Sequence, residues 1–207
     1  MTPSWKAVDY LFWVVCVVGF FAILSSTMSK NPVLNPLARA LNTPESLLGF
    51  VAAASTIPGI LVSLPAGSLS DVFGRRRVLL VSGFVLASAP FFYLLITSWW
   101  QLALVRFYHG FATAMFLPVA NAFVAELFPS RKGERISLFS SATALGRTIA
   151  PLIGGYILFA TSYDFHQLYL IVGLAGLAAL VIMSLFLKER PQHSGTDSGN
   201  RNESGMR

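Results

Sequence analysis

The chain has 207 residues, of which 55% are hydrophobic and 12% charged, with a formal net charge of +6. Soluble domains carry about 25% charged residues, so this composition excludes an ordinary soluble globular protein. The basic residues lie in short clusters between long apolar runs, without the basic face and interleaved aromatic residues that nucleic-acid binding requires. We therefore expect a lipid bilayer, and no nucleic acid, as the partner of this chain.

Six apolar segments follow one another along the chain, each close to the ~20 residues that a transmembrane helix needs. They cover residues 10–28, 47–69, 78–97, 100–127, 136–159 and 168–187. The first is longer than the core of a secretory signal peptide, so we interpret it as a retained helix. The sequence predicts an all-α membrane bundle over residues 10–190. A short cytoplasmic N-terminus over 1–9 precedes it, and a disordered cytoplasmic tail over 191–207, rich in Ser, Gly and Asn, follows it.

The charges of the connections between these segments predict the orientation of the bundle. If the N-terminus lies inside, most of the 15 lysines and arginines lie on the cytoplasmic side, and the outer connections hold only Lys30 and Arg39. Basic residues accumulate on the cytoplasmic side of membrane proteins. Both termini are therefore predicted to be cytoplasmic, in a multi-pass protein of the plasma or inner membrane.

The connection between the second and third segments carries a motif of small, apolar, acidic and basic residues: Gly67, Leu69, Asp71, Gly74, Arg75 and Arg76. A basic cytoplasmic loop explains the arginines but not the spacing of the glycines and the aspartate. The motif resembles the signature of the major facilitator superfamily of transporters. This resemblance implies that Asp71 and Arg75 join a charge network at the cytoplasmic face that helps to hold the outward-facing state. Glu126, at the inner end of the fourth segment, is the expected acidic partner.

The fourth segment places Arg106, His109 and Gly110 on one helical face, at spacings of i, i+3 and i+4. The arrangement is similar to a second pattern of the family, with His109 where glutamine is usual. Arg106 is also close enough to the outer end to extend to the lipid headgroups, and this alternative stays open. The resemblance implies a role in proton coupling or substrate binding, so we assign these three residues to the substrate or proton path.

The fifth segment carries a motif of small residues with one proline: Gly146, Ala150, Pro151, Gly154 and Gly155. It is similar to a pattern of the family's proton-driven antiporters, except that Ala150 replaces a glycine. Small residues at intervals of four suit close helix packing, and packing alone also explains them.

Arg147 lies near the middle of the fifth segment, where a charge costs at least ~2.5 kcal/mol. No Asp or Glu lies deep within any of the six segments. We therefore assign Arg147 to the substrate or proton path, where it meets either the substrate or an acidic group from another part of the transporter.

Members of the resembled family have two six-helix halves with the substrate bound between them, and this chain matches the first half. We expect a small-molecule substrate and a second six-helix half, either a separate chain or a second copy. The predicted function is export of an organic solute by alternating access with proton coupling; the alternative is a truncated, non-transporting fragment or a membrane scaffold. The sequence shows no enzyme motif, phosphate-binding loop or metal-ligand spacing, so we expect no catalytic residues, cofactor or metal.

Overall fold

The computed structural model describes the backbone of residues 5–187 and the side chains of residues 8–187. Within this range the chain forms eight α-helices and no β-strand. In chain order they are α1 (Trp5–Met28), α2 (Leu34–Ala40), α3 (Glu45–Ala53), α4 (Ile57–Phe73), α5 (Arg75–Tyr93), α6 (Trp99–Leu127), α7 (Lys132–Ala160) and α8 (Phe165–Phe186). The predicted disordered tail over 191–207 and the first four residues lie outside the described residues.

Six stretches of the described chain are helical, long and apolar enough to cross a bilayer, which confirms the predicted six-span, all-α architecture. They are Val8–Met28, Glu45–Phe73, Arg75–Tyr93, Trp99–Leu127, Lys132–Ala160 and Phe165–Phe186. Several helices begin a few residues before the predicted spans, because the hydrogen-bonded helical backbone continues past the apolar stretch into polar flanking residues. The predicted N-terminal segment over residues 1–9 overlaps α1, which begins at Trp5.

The second span differs from the predicted continuous helix, since residues 54–56 separate α3 from α4. Pro58 lies in the first turn of α4. Proline lacks a backbone N–H, and its ring clashes with the carbonyl four residues earlier, here that of Ala54. Pro58 therefore explains the position of this break.

The first connection also differs from the predicted outer loop. A turn over residues 29–33 follows α1, and the short helix α2 comes next. Val33, Leu37 and Ala38 are buried against the bundle. Because this connection packs inward, Lys30 is partly buried, which its predicted place in an outer connection did not indicate.

The helix α1 packs mainly against α7 and α8 and also contacts α5 and α6. The helix α5 packs against α6 and α8, and α4 packs against α6. Large apolar side chains on α4 and α7 stay exposed, among them Leu64 at 86% and Leu152 at 73%. Exposed apolar surface of this extent is compatible with lipid or another membrane segment and not with water.

Candidate functional site

Arg75, the first residue of α5, joins the ends of three helices. Its Nε donates a hydrogen bond of 2.8 Å to Oε1 of Glu126, in the last turn of α6. Its guanidinium forms an ion pair with Asp71 in the last turn of α4 and donates to the backbone oxygen of Gly67 at 3.1 Å. The structure thus brings together Asp71, Arg75 and Glu126, which we call the α4–α5 charge network. Its gating role stays a prediction.

The turn at Gly74 aims Arg75 back toward α4. Gly74 ends α4 and precedes α5 with a φ of 90°, a backbone conformation that favours glycine. Arg76, next in the chain, donates to the backbone oxygen of Leu187, the residue that follows α8. Leu69 of the same motif is exposed. The motif therefore sets the geometry of a turn and fastens two other helix ends to it.

A second ion pair, between Asp9 and Arg135, was missed from the sequence. Arg135 donates from Nη2 to Oδ1 of Asp9 at 2.8 Å. Its guanidinium carbon also lies 4.7 Å and 4.5 Å from the ring centroids of Phe12 and Phe128, which is favourable for a cation. The pair joins α1 to α7. No sequence signal connects two residues so far apart in the chain.

Arg106 is buried, with 5% of its surface exposed, and fastens α6 to the break between α3 and α4. Its Nε donates to the carbonyl of Val51 at 2.9 Å. One terminal nitrogen donates to the carbonyl of Ala52 at 3.2 Å and to Oγ of Ser55 at 3.3 Å. The side chain therefore does not extend to the outer headgroups, and the alternative that it snorkels is wrong in this structure.

His109 is fully buried, and neither ring nitrogen has a hydrogen-bond partner among the described residues. Its ring centroid lies 6.1 Å from that of Tyr93, which stacks on Tyr169 at 4.6 Å. A Cβ at Gly110 would lie 2.6 Å from the ring of Pro58, so this glycine permits close approach of α6 to the α3–α4 break. The structure does not bring these residues to an exposed surface, and their path role stays a prediction.

The small-residue motif of α7 divides into a packed and an exposed part. A Cβ at Gly146 would lie 2.7 Å from the backbone oxygen of Phe20 in α1. Ala150 and Gly154 are buried on the same stripe. Pro151 and Gly155, by contrast, are exposed. The stripe thus sets a close approach of α7 to α1, and the other two residues do not take part in it.

Arg147 is exposed on α7 next to this stripe. It has no hydrogen-bond or ion-pair partner between residues 8 and 187. Lys30, in the turn after α1 and outside the six spans, donates from Nζ to Oγ1 of Thr113 at 2.8 Å. Burial lowers the pKa of the Lys30 ammonium to about 7, with the guanidinium groups of Arg106 and Arg147 acting in the same direction. The positive charges of Arg106 and Arg147 thus both act on the ammonium of Lys30.

The described residues contain no group of three or more His, Cys, Asp or Glu side chains arranged to hold a metal ion.

The chain is similar to known transporters in sequence and in fold. The profile of the Major Facilitator Superfamily matches residues 9–205. An uncharacterized MFS-type transporter of Methanocaldococcus jannaschii is 26% identical over 173 residues, covering 83% of this chain and 42% of that protein. A multidrug transporter of Candida glabrata is 30% identical over 169 residues, covering 81% of this chain and 27% of that protein.

Among solved structures, a bacterial homolog of the human lysosomal transporter Spinster, inward-facing and unoccupied, has the same fold with a TM-score of 0.75. It is 17% identical and is covered over 47% of its length, while 99% of this chain is covered. The chain therefore spans less than half the length of each of these three proteins.

Proposed function

This chain belongs to the major facilitator superfamily, and on that premise we propose that it forms one six-helix half of a secondary transporter that exports an organic solute by alternating access. Proteins of this superfamily are transporters and not enzymes. The chain therefore takes part in moving a solute across the membrane and does not make or break covalent bonds.

The observation that carries this proposal is the α4–α5 charge network. Its arginine is 17% exposed, whereas Asp71 and Glu126 are 62% and 57% exposed. Ion pairs with solvent-exposed partners contribute about 0–1 kcal/mol each. A contact of this strength holds helix ends in one arrangement and still breaks at low cost when the helices move, which is what a transporter with two conformations requires.

Four finer parts of the proposal have separate support. Export of an organic solute is supported by the similarity to a multidrug transporter. Proton coupling is supported by the antiporter-like motif whose stripe packs α7 on α1. A second six-helix half is supported by the length of the relatives and by the exposed apolar faces of α4 and α7. Cytoplasmic termini are proposed from the basic connections alone.

The experiment measures proton release from everted membrane vesicles of cells that express the complete locus encoding this chain. The vesicle interior is acidified, and cationic, neutral and anionic organic solutes are added in turn while a pH-sensitive dye is followed. We expect at least one class of solute to release protons, and vesicles from cells lacking the locus to show no such release.

Arg75→Ala removes the centre of the charge network, and we expect it to slow solute-dependent proton release several-fold with membrane insertion unchanged. Arg131→Ala is the matched control, because this exposed arginine pairs only with Glu134 three residues away in the described structure. Absence of solute-dependent release in the unaltered protein would contradict the transporter. Equal rates for the two variants would show that the network only anchors a turn.

A further inference from the structure

The middle and outer parts of the described bundle contain cations without counter-charges. Lys30, Arg106 and Arg147 lie on three different elements, and both guanidinium groups affect the Lys30 ammonium. All carboxylates of residues 8–187 lie within the first or last five residues of a helix or in a connection: Asp9, Glu45, Asp71, Glu126, Glu134 and Asp164. Like charges in a poorly hydrated place repel one another strongly, so a bound anion would lower the free energy of this arrangement.

The packing of α1 on α7 sets the relative depth of Lys30 and Arg147. Both helices run in the same direction, since Asp9 pairs with Arg135, Gly146 lies against Phe20, and Gly154 lies against Met28. In this register Arg147 lies at the level of Phe21.

The Lys30 ammonium turns back into the bundle, because its partner Thr113 lies 3.4 Å from the hydroxyl of Ser26. Ser26 is five residues beyond Phe21, or about 7.5 Å along the helix. The flexible side chains of arginine and lysine extend over distances of this size. One ligand can therefore contact both cations.

Among the three cations, Lys30 and Arg147 have N–H groups that are available to a ligand. Arg106 directs its guanidinium to carbonyls at the α3–α4 break and is buried. Arg147 is exposed, and its five N–H groups have no partner in the described part of the chain. Lys30 donates to Thr113 from Nζ, which carries three N–H groups when protonated, and a carboxylate bound beside it favours that protonated form.

The surroundings favour an anion with an apolar body. Phe21, at the level of Arg147, is 41% exposed, and Val17 one turn before it is 46% exposed. Such side chains offer apolar surface to a ligand and no hydrogen bonds. A forked guanidinium matches the two oxygens of a carboxylate. Together these groups suit a small organic acid better than an inorganic anion.

We propose that Lys30 and Arg147 bind the carboxylate of a small organic acid beside α1, between Thr113 of α6 and the exposed Arg147 of α7, and that the transporter's solute is an organic anion. The statement that the bound acid is the transported solute rests on the proposed function. The binding site itself is inferred from the positions and contacts of Lys30 and Arg147. Alternatively, an acidic side chain of a second half forms a structural ion pair with the same cations. The test distinguishes this ion pair from a bound organic acid.

The test measures binding of radiolabelled benzoate to the product of the complete locus in lipid nanodiscs, with neutral benzamide as the competitor of matched shape. We expect saturable benzoate binding that benzamide does not displace. Lys30→Met and Arg147→Met each remove a charged donor and should weaken binding by roughly tenfold or more. Arg39→Met is the matched control, because Arg39 is exposed on α2 and is not among the cations that act on Lys30, and it should bind benzoate normally.

If a methionine variant does not fold, Arg147→Lys decides the question. It keeps the charge and loses the fork, so benzoate should bind several-fold more weakly. Unchanged benzoate affinity in Arg147→Lys, or no saturable binding by the unaltered protein, overturns the proposal. A structural ion pair predicts the loss of folded protein with no change in benzoate affinity, and this result overturns it as well.

The two proposals fail separately. Transport of neutral or cationic solutes without benzoate binding would overturn the anion site and leave the transporter standing. Saturable benzoate binding that depends on Lys30 and Arg147, without proton release by any solute, would support the site and overturn the transporter.

Discussion

Replacing Arg106 by methionine separates a structural role from a role in solute binding. The structure gives this side chain three hydrogen bonds at the α3–α4 break, to the carbonyls of Val51 and Ala52 and to the hydroxyl of Ser55. The break leaves these carbonyls without their usual helical partners. In a continuous helix the N–H of Thr56 would donate to the carbonyl of Ala52, but here it donates to Ala53, one residue further along. Methionine has a similar length and supplies no donor.

The expected loss follows from these contacts. Hydrogen bonds between helices in membranes contribute about 0.6 kcal/mol on average, so three of them give about 2 kcal/mol. Carbonyls left without a partner away from water increase the loss. Removal of a buried charge decreases it, because a guanidinium is costly to desolvate. We therefore expect Arg106→Met to lower the free energy of unfolding by about 2 kcal/mol. At roughly 2–4 °C per kcal/mol for a chain of this length, the unfolding midpoint falls by about 4–8 °C.

Thermal unfolding in detergent, followed by the loss of the monodisperse peak in size-exclusion chromatography, measures this difference. Arg39→Met is again the control and should have the same unfolding midpoint as the unaltered protein. A solute-binding role for Arg106 predicts the opposite pattern, with an unchanged midpoint and a weaker apparent affinity in transport. An unchanged midpoint for Arg106→Met would refute the reasoning from the α3–α4 break.

Two further predictions concern packing and topology. Gly146→Ala should lower the unfolding midpoint, because its methyl group would lie 2.7 Å from a backbone oxygen of α1, whereas Gly155→Ala should not, since nothing lies within 4 Å; equal midpoints would mean that the stripe does not limit the approach of α7. With Cys16 replaced by alanine, a cysteine at Asn42 should react with an impermeant thiol reagent added to intact cells, and one at Ser130 should not. Labelling at Ser130 from outside would contradict the proposed orientation.

The sequence by itself determined the class of fold and the family. Span length and apolar composition are local properties, because each membrane helix satisfies its own backbone hydrogen bonds within one segment. The spacing from Gly67 to Arg76 is local too, since a turn with φ of 90° at Gly74 limits which residues fit beside it. Both could therefore be read without knowing which helices are neighbours.

Only the tertiary structure decided which charged groups meet. The sequence assigned Arg106 to the substrate or proton path without indicating its partners. The structure shows that the helix across from it is interrupted and that the carbonyls of Val51 and Ala52 accept its hydrogen bonds. The sequence placed Lys30 in the first connection, and the structure adds that the turn after α1 directs its ammonium to Thr113. Partners of this kind lie on other helices, dozens of residues away in the chain. Sequence spacing orders residues along one helix and says nothing about which helix faces them, so these contacts appear only once the helices have packed.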